Sequence, residues 1–213
     1  LFKRGAVLRG LKRCKEALEA YEKVIKIDPE NIDAWISKER ILLIMGESQG
    51  YLEAYKKITV IEPKKVNDWL NKAWTLWTWG KYKKSLEAYD KAIEIEPENV
   101  DAWINKGNFL SYLGIYNNAL KAYDKTIVLS PKNIHAWINK GITFYNVEEY
   151  TKCLNALEQA FNLNPQNTKV CNLLAEYYLM FGDTVNASKY AESVLLIDPN
   201  NAASLYIKGK IKI

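Results

Sequence analysis

With 213 residues, 48% hydrophobic and 26% charged, the chain has enough apolar content to fold and is not a disordered polymer. A net charge of +5 is too mild to demand a polyanionic partner, and the longest strongly apolar run, Ile41 to Met45, falls far short of the roughly 20 residues a membrane span needs. Cys14, Cys153 and Cys171 are odd in number and contain no CxxC pair, which argues against a disulfide framework or a zinc site and favours a reducing, cytoplasmic compartment.

No secretory leader is recognisable, and the sequence opens on Leu1 rather than Met, which points to a piece of a longer or processed protein. The word AWINKG stands at 102–107 and again at 136–141. Pro29, Pro63, Pro97, Pro131, Pro165 and Pro199 are each 34 residues apart, as are Trp35, Trp69, Trp103 and Trp137. Such a period predicts one structural unit repeated along the chain.

Residues 1–31 form a partial first repeat. It begins inside a helix that carries Gly5, continues into a second helix with Ala17 and Tyr21 on one face, and stops at Pro29. Repeat two, residues 32–65, opens with Asn31 as N-cap and Asp33 in the first turn, where the helix dipole favours acid. Gly46 marks its turn, and Glu39 and Tyr51 replace the small residues of other repeats, so looser or shifted packing is expected here.

Repeat three, 66–99, has its turn at Gly80 and adds Trp74 and Trp77 to the usual Trp69. Trp79 falls in the column of Leu11, Met45, Leu113, Val147 and Phe181 and is assigned to the core. Repeat four, 100–133, is the most regular. Asn99 caps it, and Trp103, Gly107 and Leu110 lie on one face of a first helix. Gly114 marks the turn, and Ala119, Tyr123 and Thr126 lie on one face of a second helix.

Repeat five, 134–167, is capped by Asn133 and places Gly141 and Cys153 in the small-residue columns. Repeat six, 168–201, follows Asn167, sets Cys171 where Trp is usual, and turns at Gly182. Residues 202–213 are the first helix of a seventh unit, placed to cover the end of repeat six, with Gly209 in the close-approach column. One hairpin of this kind cannot bury its own apolar face, whereas a stack can.

These columns resemble the tetratricopeptide repeat family over the whole chain. The resemblance implies an all-α, right-handed superhelical solenoid, here a single array over 1–213. It also implies a non-catalytic protein-binding scaffold whose first helices line a concave groove. Where the family usually has Leu, this chain has Arg4, Lys38, Lys72, Lys106, Lys140 and Lys208, with only Leu174 conforming. Their stems are expected on apolar surface with the charge in water. Some family members clamp the C-terminal carboxylate of a chaperone with two Lys, one Arg and two Asn. Asn108, Asn139 and Lys169 match part of that set, but Ile104 and Leu173 stand at the first Lys and the Arg positions, so that adaptor role is not expected.

The groove face reads Ser37, Asn71, Asn105 and Asn139 in one row, and Arg40, Trp74, Asn108 and Ile142 in the next. A third row holds Leu43, Trp77, Ser111, Tyr145 and Leu179, with Tyr112 close by. The amide row is either a ladder for the backbone of an extended peptide or a consensus feature without a ligand. Trp74 and Trp77 are either binding anchors or fillers between first helices.

His135 is the only histidine, and no phosphate loop, metal cluster or catalytic constellation accompanies it. No cofactor is expected. Positive charge collects at the two ends without a stripe along the array, which disfavours nucleic acid. The second function class is self-association through the array ends. The abundance of Lys, Ile and Asn suggests an AT-rich prokaryotic or archaeal genome.

Overall fold

The computed structural model describes residues 1–211. Among them are thirteen α-helices and no strand. They are α1 (Phe2–Gly10), α2 (Cys14–Ile27), α3 (Ile32–Met45), α4 (Ser48–Val60), α5 (Val66–Thr78), α6 (Tyr82–Ile95) and α7 (Val100–Tyr112). There follow α8 (Tyr116–Leu129), α9 (Ile134–Asn146), α10 (Tyr150–Leu163), α11 (Thr168–Met180), α12 (Thr184–Leu195) and α13 (Ala202–Ile211). The fold is an all-α helical-repeat solenoid of antiparallel hairpins. It divides into two compact units, Leu1–Ala102 and a second that begins at Trp103.

The 34-residue punctuation has a local cause at each helix start. The side-chain oxygens of Asn31, Asn99, Asn133, Asn167 and Asn201 accept the N–H three residues on, at 2.9–3.2 Å. The same asparagines donate their own backbone N–H to the carbonyl three residues back, which closes a tight turn around each proline. Lys65 holds the sixth position and provides no side-chain cap.

In the first unit, α3 packs on α2, α4 and α5. Trp35 donates its indole N–H to the Pro29 carbonyl at 2.8 Å, so this tryptophan ties its helix to the preceding turn as well as filling space. A Cβ on Gly5 would lie 2.7 Å from the Tyr21 ring, which is why the first helix of a hairpin needs a small residue there. The second-to-third repeat junction departs from the rule. The chain from Ile61 to Pro63 forms no such turn, and the Lys72 ammonium donates to the Ile61 carbonyl instead. Glu39 is buried, and Trp79 lies against it rather than deep in the core, with its ring 4.6 Å from that of Tyr55.

In the second unit, Trp137 repeats the bond to its proline carbonyl at 3.1 Å, and the Cys171 thiol substitutes for the indole at 3.4 Å from the Pro165 oxygen. Gly107 meets Tyr123 and Gly141 meets Leu157 at the distances that exclude a Cβ. Gly209 has no such neighbour, because no second helix of its own hairpin lies among the described residues. The last helix, α13, packs on α11 and α12 and buries Ile207 and Ser204.

The lysine column is more engaged than its expected position in water. Lys38, Lys72, Lys106 and Lys140 place their ammonium groups 5.0–5.6 Å from the ring centre of the tryptophan three residues earlier. Lys38 also pairs with Glu22, Lys140 with Asp124 and Lys208 with Glu192, each sixteen residues back on the preceding second helix.

Candidate functional site

In the first unit, α1, α3 and α5 present a groove lined by Phe2, Ala6, Arg9, Asp33, Ser37, Arg40 and Asn71, with Tyr21 and Ile36 at its floor. The periodicity that puts Arg40 and Trp74 one repeat apart brings them together. The Arg40 guanidinium lies 5.0 Å from the centre of the Trp74 ring, within cation–π range. Trp74 remains 47% exposed. A tryptophan that packing fully required would not retain half its surface in solvent.

Asn71 is exposed and donates its Nδ2 to Asp33 at 2.8 Å. Its side-chain oxygen accepts nothing from the described residues. Trp77 is half-buried and already engaged by neighbours, so it is less available than Trp74. Behind the groove, Glu39 is only 3% exposed and accepts the Trp79 indole N–H at 3.3 Å. Burial pushes its carboxyl above the usual range, while the Trp79 bond and the Arg40 charge pull it partly back.

In the second unit the amides divide in function. The side-chain oxygen of Asn108 accepts the Tyr123 hydroxyl at 3.0 Å and the Nδ2 of Asn139 at 2.7 Å. Asn108 is thus an internal node, and Asn139 is half spent on it. The Asn105 carboxamide has no hydrogen-bond partner among the described residues. Thr143 reaches both the Ser111 hydroxyl at 3.2 Å and the Asn139 carbonyl at 2.7 Å, completing a polar seam between α7 and α9. Tyr112 is 62% exposed, and Lys169 is exposed at the start of α11.

Tyr145 is not isolated. Its ring stacks on Tyr177 with centroids 4.6 Å apart and planes 2° from parallel, and Tyr150 and Phe181 extend the cluster. The 34-residue columns missed this cluster because Tyr145 and Tyr177 are 32 residues apart and stand in different columns.

The titratable groups do not form a reacting set. The Cys153 thiol is fully buried, and burial pushes it up to about 12, opposite to what a nucleophilic thiolate needs. His135 is exposed in the first turn of α9. Among the described residues no group of three or more His, Cys, Asp or Glu side chains is placed to hold a metal ion. None of the described helices is long and apolar enough to cross a membrane.

Three sequence profiles described as tetratricopeptide repeat match the chain, one over 66–99, one over 88–121 and one over both 1–31 and 134–167. Together they cover more than half of it. No curated protein matches the sequence. Among solved structures, the type IV pilus biogenesis factor PilW superposes with a TM-score of 0.75 at 16% identity, covering 97% of this chain and 96% of its own. A tetratricopeptide repeat protein from Parabacteroides merdae gives 0.71 at 20% identity, with 99% and 84% covered. YrrB, described as a tetratricopeptide repeat protein with an unusual peptide-binding site, gives 0.60 at 18% identity, with 79% and 87% covered.

Proposed function

Because the chain belongs to the tetratricopeptide repeat family, a fold that generally serves protein–protein interaction, we propose that it is a non-catalytic scaffold, one array over 1–213, binding a partner polypeptide on its first helices. The observation that carries this reading is the half-exposed Trp74 beneath Arg40, since an aromatic left in solvent beside a groove is a typical anchor. In the first unit Trp74 and Trp77 supply apolar contact, Arg40 supplies charge and Asn71 offers its free carbonyl to a peptide N–H. In the second unit Asn105 and Asn139 hold backbone, Tyr112 and Tyr145 supply ring faces, Asn108 positions Asn139, and Lys169 flanks the surface. YrrB, whose description names a peptide-binding site, supports a peptide as the occupant. The three free cysteines support a reducing, cytoplasmic setting.

Self-association is the second reading. It draws on exposed Val7 and Leu11 at one end and Leu205 and Tyr206 at the other. The excess of lysine and arginine at both ends opposes it, because like charges would meet.

Capture from lysate of the source organism separates the two. Proteins held by the wild type and lost by a Trp74→Ala/Asn105→Ala variant support the groove. Equal capture by both moves the interaction elsewhere and makes self-association the leading reading.

A further inference from the structure

The groove of the first unit has an unbalanced charge pattern. Arg9 on α1 and Arg40 on α3 both line it, and among the described residues neither has a carboxylate within ion-pairing distance. Three lysines of the repeat column differ in this respect: Lys38, Lys140 and Lys208 each hold an acid of the neighbouring helix.

Two acids stand near these guanidiniums without forming an ion pair to either, although the Arg40 charge is felt by Glu39. Asp33 lines the opposite end of the groove, in the first turn of α3, and accepts from Asn71. Glu39 is buried behind the groove on the Trp79 indole. Asp68 occupies the first turn of α5, where burial together with Asp33 pushes its carboxyl up and the Lys65 charge partly opposes this. The groove lining is therefore polarised, with Asp33 at the start of α3, Arg40 about two turns further along the same helix and Arg9 on α1.

Arg40 is half-buried and held over the Trp74 ring, so its planar fork is partly oriented before any ligand arrives. A guanidinium held over a ring still has N–H groups to offer, and those match a carboxylate in bidentate geometry.

We propose that the segment bound in this groove is acidic, with aspartate or glutamate side chains seated on Arg9 and Arg40 and an apolar residue on Trp74. This rests on the reading of the first helices as the partner-binding face, and it adds the chemistry of the partner.

The test uses the 213-residue chain and fluorescence anisotropy with three labelled probes. The first is a capped decapeptide alternating Leu and Glu. The second is its Gln-for-Glu counterpart, and the third is decathymidylate. The Glu peptide is expected to bind at least tenfold more tightly than the Gln peptide at low salt, with the preference shrinking as salt rises. Arg9→Gln/Arg40→Gln should abolish that preference, and Arg40→Lys should keep part of it. Equal affinity for the Glu and Gln peptides, with both lost on Trp74→Ala, overturns the acidic partner and leaves the groove standing. Peptide binding indifferent to Trp74→Ala and to the arginine variants overturns the groove reading and this inference with it. Tighter binding of decathymidylate, lost in the same arginine variants, makes the preferred anion a phosphate and overturns the proposal.

Discussion

The side-chain amide of Asn139 donates to the side-chain oxygen of Asn108 at 2.7 Å, across 31 residues of sequence rather than the 34 of the repeat. The same oxygen holds the hydroxyl of Tyr123, whose ring is buried and fills the space left by Gly107. One carboxamide thus joins a first helix, the second helix of its own hairpin and the first helix of the next repeat.

Removing it should take one acceptor from a buried phenol that keeps the Ser111 and Thr143 hydroxyls beside it. Asn108→Ala is expected to destabilise the chain by about 0.5–1.5 kcal/mol, the net worth of a hydrogen bond whose donor keeps other partners. Asn108→Asp retains the oxygen and should lose less. Urea unfolding of both variants measures this, and an Asn108→Ala midpoint equal to wild type would show that the node carries no stability.

Much of the scaffold was legible because its causes are local in sequence. An asparagine two residues after each proline caps a helix wherever it occurs, and Lys65, the one exception, stands at the one junction whose turn is missing. Contacts between neighbouring repeats were harder to read. Columns 34 apart identify equivalent residues, but neighbouring first helices meet with an offset. Asn139 touches Asn108, Thr143 touches Ser111 and Tyr177 touches Tyr145, at separations of 31 and 32. The expected row of Asn105 and Asn139 is therefore a row of equivalent positions, with Asn139 bonded to the neighbouring column. Trp74 and Arg40 do meet at the full period, because long side chains reach across the offset.

The turn column gives a second prediction. Gly46, Gly80, Gly114 and Gly182 all adopt positive φ, between 69° and 81°. Lys12 and Glu148 occupy the same column and are forced to φ of 59° and 62°. A side chain is disfavoured there by contact of its Cβ with the following carbonyl. Glu148→Gly should therefore stabilise by about 0.5–1 kcal/mol after the added freedom of the unfolded chain is deducted. Gly114→Ala should destabilise by about 1 kcal/mol for the same reason. Thermal melts of the two variants should move in opposite directions, and a lower melting temperature for Glu148→Gly would refute the argument.

Glu39 gives a prediction with a defined pH dependence. Its folded-state carboxyl lies above the ordinary 4.5, mainly because burial disfavours the charge. The folded state therefore binds the proton more tightly than the unfolded chain, and ionisation opposes folding at neutral pH. Glu39→Gln keeps an oxygen for the Trp79 indole and removes the buried charge, so it should stabilise at pH 7 by about 1 kcal/mol. The advantage is complete above the folded-state value and fades as pH falls toward 4.5. Denaturant midpoints measured from pH 4 to pH 8 test the sign. A wild type that loses stability relative to the variant on acidification would contradict it.

The lysine column supplies the last prediction. Lys38, Lys140 and Lys208 each find an acid sixteen residues back. At the corresponding place before Lys72 the sequence has Lys56, so the series cannot continue. Lys72 is the most buried of the column at 6% exposed, and its ammonium turns to the Ile61 carbonyl in the irregular junction. Burial pushes its pKa down, and the nearby Lys84 adds to that, whereas Glu62 opposes it. Supplying the missing carboxylate should relieve this strain on the charge. Lys56→Glu is expected to stabilise by about 0.5–1 kcal/mol at low salt and by less in high salt, as partly exposed ion pairs do. The gain should disappear when Lys72→Met is added, because methionine keeps the stem over Trp69 and lacks the charge. A double-mutant cycle in which the two changes add without coupling would show that position 56 does not reach Lys72 and that the junction, not the missing acid, sets where the ammonium goes.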